Sequence, residues 1–279
     1  DEGRQPRVLT VRRLAQILRL FTLEQSEIGV TEVAHALGIA PSSAHELLSS
    51  LAEEGLLRRT SNRRYQLGWI LFERSQMLLD TSCLLKAARP VMQQLVAGWG
   101  ETTHLAVLID GEVLYVEKVQ GDRALEIVLS GVGKRLPAHC SGVGKVLLAH
   151  RPQEEVEAIV RARGLRAFTP NTITDIRRLT RELERVRLEG YALDQEEAMI
   201  GLCCVAAPIT DRRRQVIAAM SLSVPAHRFY PNQQRLITAI TGAARRVSES
   251  VESYEEEQLW RSRIELKSRF SARATSAPT

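Results

Sequence analysis

Along the first part of the chain the apolar residues recur at helical spacing. Leu9, Val11, Leu14, Ile17, Leu18 and Phe21 form one stripe, which predicts an amphipathic helix. A polar break from Glu24 to Gly29 follows. Val30 to Leu37 then predicts a second, shorter helix with Thr31 as its N-cap, closed by Gly38 at the C-cap. Pro41 suits the first turn of a third helix, which runs through Leu51 and stops near Gly55. Its apolar side is Ala44, Leu47, Leu48 and Leu51. Its other side is Ser42, Ser43, His45, Glu46, Ser49 and Ser50. Two short helices joined by a Gly turn predict a helix-turn-helix, whose second helix enters a DNA major groove.

After Gly55 the period shortens. Residues 56–60 and 65–67 read as strands around the turn Ser61-Asn62-Arg63-Arg64, so they predict a wing. From Trp69 to Leu79 the residues are too apolar for a tether (Trp69, Ile70, Leu71, Phe72, Met77, Leu78, Leu79), which predicts a helix that packs on a second copy of the chain. Beyond it, a helix is expected over 84–99. Leu105 to Ile109, then Asp110-Gly111, then Val113 to Val116, is a strong hairpin signal. A strand is expected at Leu125 to Leu129. Helices are expected at 141–149, 153–163 and 175–188, strands at 191–195, 203–209 and 216–223, and a last helix from about Asn232 to Tyr254. These elements predict a mixed sheet with helices packed on it. The fold class is α+β, divided as 1–68 winged helix-turn-helix, 69–83 linker helix, 84–255 second domain and 256–279 a frayed tail.

Composition changes this picture little. A chain of 279 residues with 44% hydrophobic and 25% charged residues suits two soluble domains. The formal net charge of +5 permits a nucleic-acid partner. Placement says more than bulk: residues 1–68 hold nine arginines against eight acids, yet residues 56–68 hold Arg58, Arg59, Arg63 and Arg64 and no acid. A basic hairpin beside a recognition helix supplies phosphate neutralisation. Arg4 and Arg7 precede the first helix and are placed for an adjacent minor groove. The expected DNA-facing set is Arg4, Arg7, Thr31, Ser42, Ser43, His45, Ser49, Arg58, Arg59, Arg63 and Arg64. A protein-contact role for the winged helix is the alternative. The four cysteines, Cys83, Cys140, Cys203 and Cys204, show no disulfide or metal spacing and fit a reducing cytoplasm. No apolar run reaches membrane-spanning length, and the N-terminus lacks a signal peptide's apolar stretch, so a cytoplasmic location is expected.

Ordered segments along nearly the whole chain resemble the IclR (isocitrate lyase regulator) family of bacterial transcription factors. They are Gly38 to Leu51, Glu53-Glu54-Gly55-Leu56, Tyr65-Gln66-Leu67-Gly68, Leu136 to Lys145, Gly190 to Glu197 and Gly201 to Pro208. The resemblance implies a GAF-like effector domain, dimers that pair into tetramers, and a small organic or aromatic acid as effector. It implies effector contacts at Gly142, Val143, Asp194, Cys204, Ser221 and Ser223. The physics agrees: a helix opening at Gly142 and Val143 offers N–H groups to a carboxylate, and Ser221 and Ser223 share one face of a strand. Asp194 is awkward beside an anion unless it is protonated or accepts a hydroxyl proton. Leu125, Ile127, Leu129 and Leu202 are expected as apolar walls suited to an aromatic acid. Where recognition helices of the family carry Lys and Arg, this chain has Pro41 and Glu46. The arm and wing arginines are therefore expected to supply the phosphate grip.

Enzyme readings are weaker. Gly142-Val143-Gly144-Lys145 would need Gly at 139 and Ser or Thr at 146 to complete a P-loop, and the chain has His139 and Val146. No GxSxG elbow occurs. A zinc site from His139, Cys140, Cys203 and Cys204 is conceivable only if the fold gathers them. The expectation is a non-enzymatic, effector-responsive repressor or activator with no cofactor and no metal. The alternative is a GAF-like small-molecule enzyme or sensor.

Overall fold

The structure is a computed structural model that describes residues 8–123 and 130–274, with side chains to Tyr254. It divides into two compact units at Ser82/Cys83. Arg4, Arg7 and the expected strand with Leu125, Ile127 and Leu129 lie outside the described residues.

The first unit holds α1 (Leu9–Arg19), α2 (Val30–Leu37), α3 (Pro41–Glu53), β1 (Leu57–Arg59), β2 (Tyr65–Leu67) and α4 (Trp69–Thr81). Ile17 of α1, Val33 and Ala34 of α2, and Ala44, Leu48 and Leu51 of α3 close on Leu57 and Tyr65 of the hairpin. Leu14, Leu18 and Phe21 lean on this core, whereas Leu9 and Val11 at the start of the stripe are exposed. Gly38 holds φ 63°, the left-handed conformation that ends α2 and turns the chain into α3. The expected N-cap shifts: Gly29, not Thr31, precedes α2, and Glu32 in the first turn caps the Gly29 N–H with its carboxylate. Gly29 adopts the extended backbone a cap needs, which leaves Thr31 inside the helix. No residue of α4 is buried, and Trp69, Phe72, Met77 and Leu78 are exposed.

The second unit begins with α5 (Cys83–Trp99), β3 (Thr102–Ile109), β4 (Glu112–Val119) and β5 (Arg135–Pro137). It continues with α6 (Gly142–Ala149), α7 (Gln153–Arg163), α8 (Ile176–Glu189), β6 (Ala192–Gln195), β7 (Leu202–Thr210), β8 (Val216–Pro225) and α9 (Ala226–Ala274). The sheet order is β5-β4-β3-β8-β7-β6. Each of its pairings is antiparallel, which corrects the expected mixed sheet. The reason is that β3–β4 and β7–β8 are joined by tight turns, and β3 meets β8 edge to edge. The β3–β4 turn places Asp110 and Gly111 at φ 53° and 78°, the geometry that Asp-Gly favours. The last helix starts six residues before Asn232 and continues past Tyr254, so the tail expected to fray is helical to Ala274.

One face of the sheet carries α9, with α5 alongside. The other carries α6, whose eight residues are all buried. Helix α6 sits so low on the sheet because the residues beneath it are small. Ala106, Ala192, Ala206 and Ala219 belong to that core, and a Cβ on Gly142 would lie 3.2 Å from Cβ of Ala206. A Cβ on Gly144 would lie 2.1 Å from the Ala138 carbonyl oxygen, so this position admits only glycine.

Candidate nucleic-acid interface and ligand cavity

On α3, Ser42, His45 and Ser50 are exposed, and Ser43 is half-buried. Ser49 is also half-buried and stands 3.5 Å from the Tyr65 hydroxyl, between helix and wing. In the hairpin Arg58, Arg59 and Arg63 are exposed. Arg63 sits at φ 59° in the turn. Arg64 behaves differently. Its Nη2 donates to Glu32 Oε1 at 2.7 Å and to the Glu27 carbonyl at 2.9 Å. The Glu32 carboxylate holds the proton on this guanidinium more firmly than usual. Arg64, expected on a phosphate, is paired here with groups just before and within the first turn of α2, and so ties the wing to that helix. The isolated Ile28–Tyr65 bridge and the Gln66–Glu27 hydrogen bond at 2.5 Å make the same attachment. Local reading assigned Arg64 to the turn but had no means of seeing a partner more than thirty residues upstream.

In the second unit the sheet register lines up polar residues on the α6 face. Asp194 pairs with Cys204, Cys204 with Ser223, and Ser223 with Thr102. Ser221 pairs with both Ala206 and His104. These strands and the N-terminus of α6 wall a cavity with an empty volume of about 410 Å³ including its mouth. Of the residues expected at the site, Gly142, Val143, Asp194, Leu202, Cys204, Ser221 and Ser223 all line it. Ser141 caps α6, its Oγ accepting from the Gly144 N–H at 3.1 Å. The amides of Gly142 and Val143 then open the helix on the cavity wall, where the helix dipole is positive.

Sequence reasoning missed His104, Tyr115, Ser130, Leu136, Ser141, Ala198 and Met199, which complete the lining. Only one signal was available for His104: Thr102-Thr103-His104 is a polar run opening a strand that is otherwise apolar. The ring is buried and bridges two hydroxyls, with Nε2 2.8 Å from Ser130 Oγ and Nδ1 3.3 Å from Ser223 Oγ. Ser223 Oγ in turn lies 3.1 Å from Cys204 Sγ. Burial, with help from the Lys118 cation, pushes the His104 pKa down to about 3, so the ring is neutral.

At the other end, burial and the neighbouring Glu197 carboxylate push Asp194 up to about 7, against the pull of Lys145 and of the Glu197 and Ala198 amides. Its Oδ1 accepts the Glu197 N–H at 2.7 Å. Glu197 Oε1 meets the buried Lys145 ammonium at 2.5 Å, and Lys145 also reaches Glu182 at 3.2 Å. The Cys204 thiol is held well above its usual pKa by burial and by Asp194, which makes it a poor nucleophile. His139 bonds the Arg166 carbonyl, Cys140 bonds the Pro137 carbonyl, and Cys203 meets Tyr230 on the opposite face from Cys204, so the fold scatters the four candidate zinc ligands. Among the described residues no helix is long and apolar enough to cross a membrane.

The IclR helix-turn-helix domain matches residues 10–61, and the family described as bacterial transcriptional regulator IclR C-terminal matches residues 76–249. The chain belongs to the IclR family. Its relatives in that family include the HTH-type transcriptional regulator XynR of Escherichia coli (strain K12), 36% identical over 219 residues that span 78% of this chain and 86% of XynR. The HTH-type transcriptional regulator KdgR of Dickeya chrysanthemi is 32% identical over 245 residues, 85% of this chain and 80% of KdgR. Among solved structures, an IclR homolog from Microbacterium hydrocarbonoxydans complexed with 4-hydroxybenzoate superposes with a TM-score of 0.75 at 26% identity, covering 88% of this chain and 99% of that one. This IclR-family chain is a DNA-binding transcription regulator: residues 10–61 are the family's helix-turn-helix domain, and residues 76–249 are the family's C-terminal part.

Proposed function

We propose that the protein is a non-enzymatic, effector-responsive regulator that binds an operator as a dimer, or as a dimer of dimers, in the cytoplasm. Ser42, Ser43 and His45 face base edges, and Thr31, Arg58, Arg59 and Arg63 face phosphates. The exposed apolar side of α4 packs on the same helix of a second copy, which spaces two recognition helices for two half-sites. A small organic or aromatic acid occupies the cavity under α6, with its carboxylate on the Gly142 and Val143 amides and on Ser221 and Ser223. Its binding shifts the population between DNA-competent and DNA-incompetent arrangements.

The observation that carries this reading is the gathering of Gly142, Asp194, Cys204, Ser221 and Ser223, distant in sequence, around one cavity. The 4-hydroxybenzoate complex of a structural relative supports the ligand class. The test is an electrophoretic mobility shift on the DNA upstream of the protein's own gene. We expect a shift at low salt that a carboxylic acid modulates. Ser221→Ala with Ser223→Ala should abolish the modulation and leave the shift. No shift at low salt, or unchanged acid affinity of the double variant by calorimetry, overturns the corresponding half. An enzymatic alternative would have to rest on Cys204, whose raised thiol pKa argues against it.

A further inference from the structure

The cavity has two chemically different ends. Near α6 and β6 stand the helix amides and Asp194. Toward β3 and β4 stand His104, Ser130 and Tyr115. Asp194 on β6 and His104 on β3 are three strand spacings apart, roughly 14 Å at about 4.8 Å per strand, and Ser221 and Ser223 of β8 lie between them. We infer that Ser130, on the far side of His104 from Ser223, is a specificity subsite that reads a neutral hydroxyl or carbonyl group on the effector, beyond the β8 hydroxyls that hold its carboxylate. This deepens the effector-cavity reading above and rests on it.

The argument starts from what a neutral imidazole can do. One ring nitrogen donates and the other accepts. Bridging Ser130 and Ser223, His104 therefore gives a hydrogen bond to one hydroxyl and takes one from the other. The serine that receives keeps its own O–H to donate. The serine that gives keeps lone pairs to accept. Ser223 also meets Cys204 Sγ at 3.1 Å and belongs to the carboxylate grip, so the group left for the far end is Ser130. A ligand hydroxyl pairs with Ser130 whichever way its own O–H points, a carbonyl only when Ser130 keeps that O–H to donate, and a C–H leaves it short of a partner. Tyr115 packs at a tilt against the ring with centroids 5.2 Å apart, and burial keeps its phenol protonated, a further neutral group on the wall. Thr102, two residues before His104 on the same face of β3, is fully buried with an Oγ1 that has no partner.

Charge points the same way. Lys118 pairs across the strands with His104, but its ammonium is bound to the Ser130 carbonyl at 3.1 Å and is not part of the lining. It adds to the burial that keeps the ring neutral and is not among the groups that line the cavity. His104 is consequently a positioning residue for the two hydroxyls as well as a wall.

The test uses the full chain and ligand sets that differ only at the far end: benzoate, 4-hydroxybenzoate and terephthalate, and butyrate, 4-hydroxybutyrate and succinate. Affinities are read by calorimetry for the native protein, His104→Leu and Ser130→Ala. In at least one set the hydroxy acid should bind about tenfold tighter than its unsubstituted analogue and tighter than the diacid. His104→Leu should bring the hydroxyl preference to within about twofold and weaken every acid in its set alike, because the ring also holds Ser223. Ser130→Ala, which keeps the ring and its bond to Ser223, should remove the same preference and leave the unsubstituted acid's affinity nearly unchanged. A preference that survives both substitutions, or equal affinities in the native protein, overturns the subsite and leaves the cavity reading intact. Tighter binding of a diacid makes the far end an anion site served by Lys118, and overturns it too. Binding of none of the six acids overturns both readings.

Discussion

The two candidate sites are built on opposite plans. The residues proposed to face DNA lie, Thr31 apart, in two short described runs of sequence, 42–49 and 58–63, and are mostly exposed, as a surface that works by charge and shape requires. The cavity residues come from all six strands of the sheet, the start of α6 and the connecting segments, are mostly buried, and are joined by hydrogen bonds among neutral or near-neutral groups. The surface site should therefore tolerate substitution and answer to salt. The interior site should couple its chemistry to the stability of its whole domain. Substitutions that obey this contrast, or break it, measure how far it holds.

The largest effect is expected at Lys145. It is 1% exposed, and it compensates Glu197 and Glu182 next to the cavity. Lys145→Met leaves Glu197 buried without its cation, with Oε2 already unpartnered. The cost expected for breaking such a pair is about 3–5 kcal/mol. Thermal unfolding of the second unit should fall by on the order of 10 °C. Loss of under about 1 kcal/mol would mean that the carboxylates simply take up protons, and that the interior is less demanding than its burial suggests. Next comes Gly144→Ala, whose Cβ meets backbone oxygen at 2.1 Å and so cannot be relieved by a side-chain rotation. About 2–3 kcal/mol and loss of effector binding are expected, because α6 must lift from the sheet. Mobility shifts with DNA should survive both changes at temperatures where the second unit stays folded.

How much of this was legible in the sequence follows the same division. The helix-turn-helix, the wing and the Asp-Gly hairpin rest on contacts close in sequence, and periodicity with turn chemistry placed them. Ser221 and Ser223 came from resemblance, but their shared face is a local property of a strand. His104 was invisible because its tie to Ser223 spans 119 residues and exists only through the β3–β8 register. Arg64 shows the same dependence on a distant partner at the surface. Its exposure-prone residue type and turn position suggested phosphate, while its partner Glu32 belongs to another element. Thr31 yielded the cap to Gly29 because Glu32, not a hydroxyl, satisfies the first amide. Long-range register and long-range ion pairs have no local signature.

A titration sharpens the interior half. Asp194 is pushed up to about 7, so near neutrality it is close to half protonated. The charged groups facing it are Lys145 from α6 and Glu197 from the following turn. The Cys204 thiol on β7 stays protonated. An anionic effector beside Asp194 favours its protonated form. Affinity for a carboxylate ligand should therefore be highest below pH 7 and fall as pH rises, by up to about tenfold per unit. Binding at pH 7.5 should take up protons, visible as a buffer-dependent enthalpy. Asp194→Asn still accepts the Glu197 amide and should flatten the curve. Affinity that rises with pH in the native protein refutes this placement of the carboxylate.

The smallest effects, and the sharpest for the surface half, separate two adjacent arginines. Arg63 is exposed, and Arg63→Ala should weaken DNA binding equally on specific and unrelated sequences. Its salt dependence should be shallower by about 0.9 in log–log slope, the loss of one phosphate contact. Arg64→Ala should leave that slope unchanged and instead loosen the wing, read as faster amide exchange at Ile28 and Tyr65, whose backbones pair there. Glu32→Ala decides between the roles. If Arg64 were a phosphate ligand restrained by Glu32, freeing it would strengthen DNA binding and steepen the slope. If Arg64 is a brace, removing Glu32 also uncaps Gly29 and weakens binding through the displaced wing, with the slope unchanged. The hydrogen bond from Arg64 to the Glu27 carbonyl, a group with no charge to lure a guanidinium off a phosphate, favours the brace. On this reading a positive charge in the wing counts toward DNA affinity only where no acid of α2 has already claimed it.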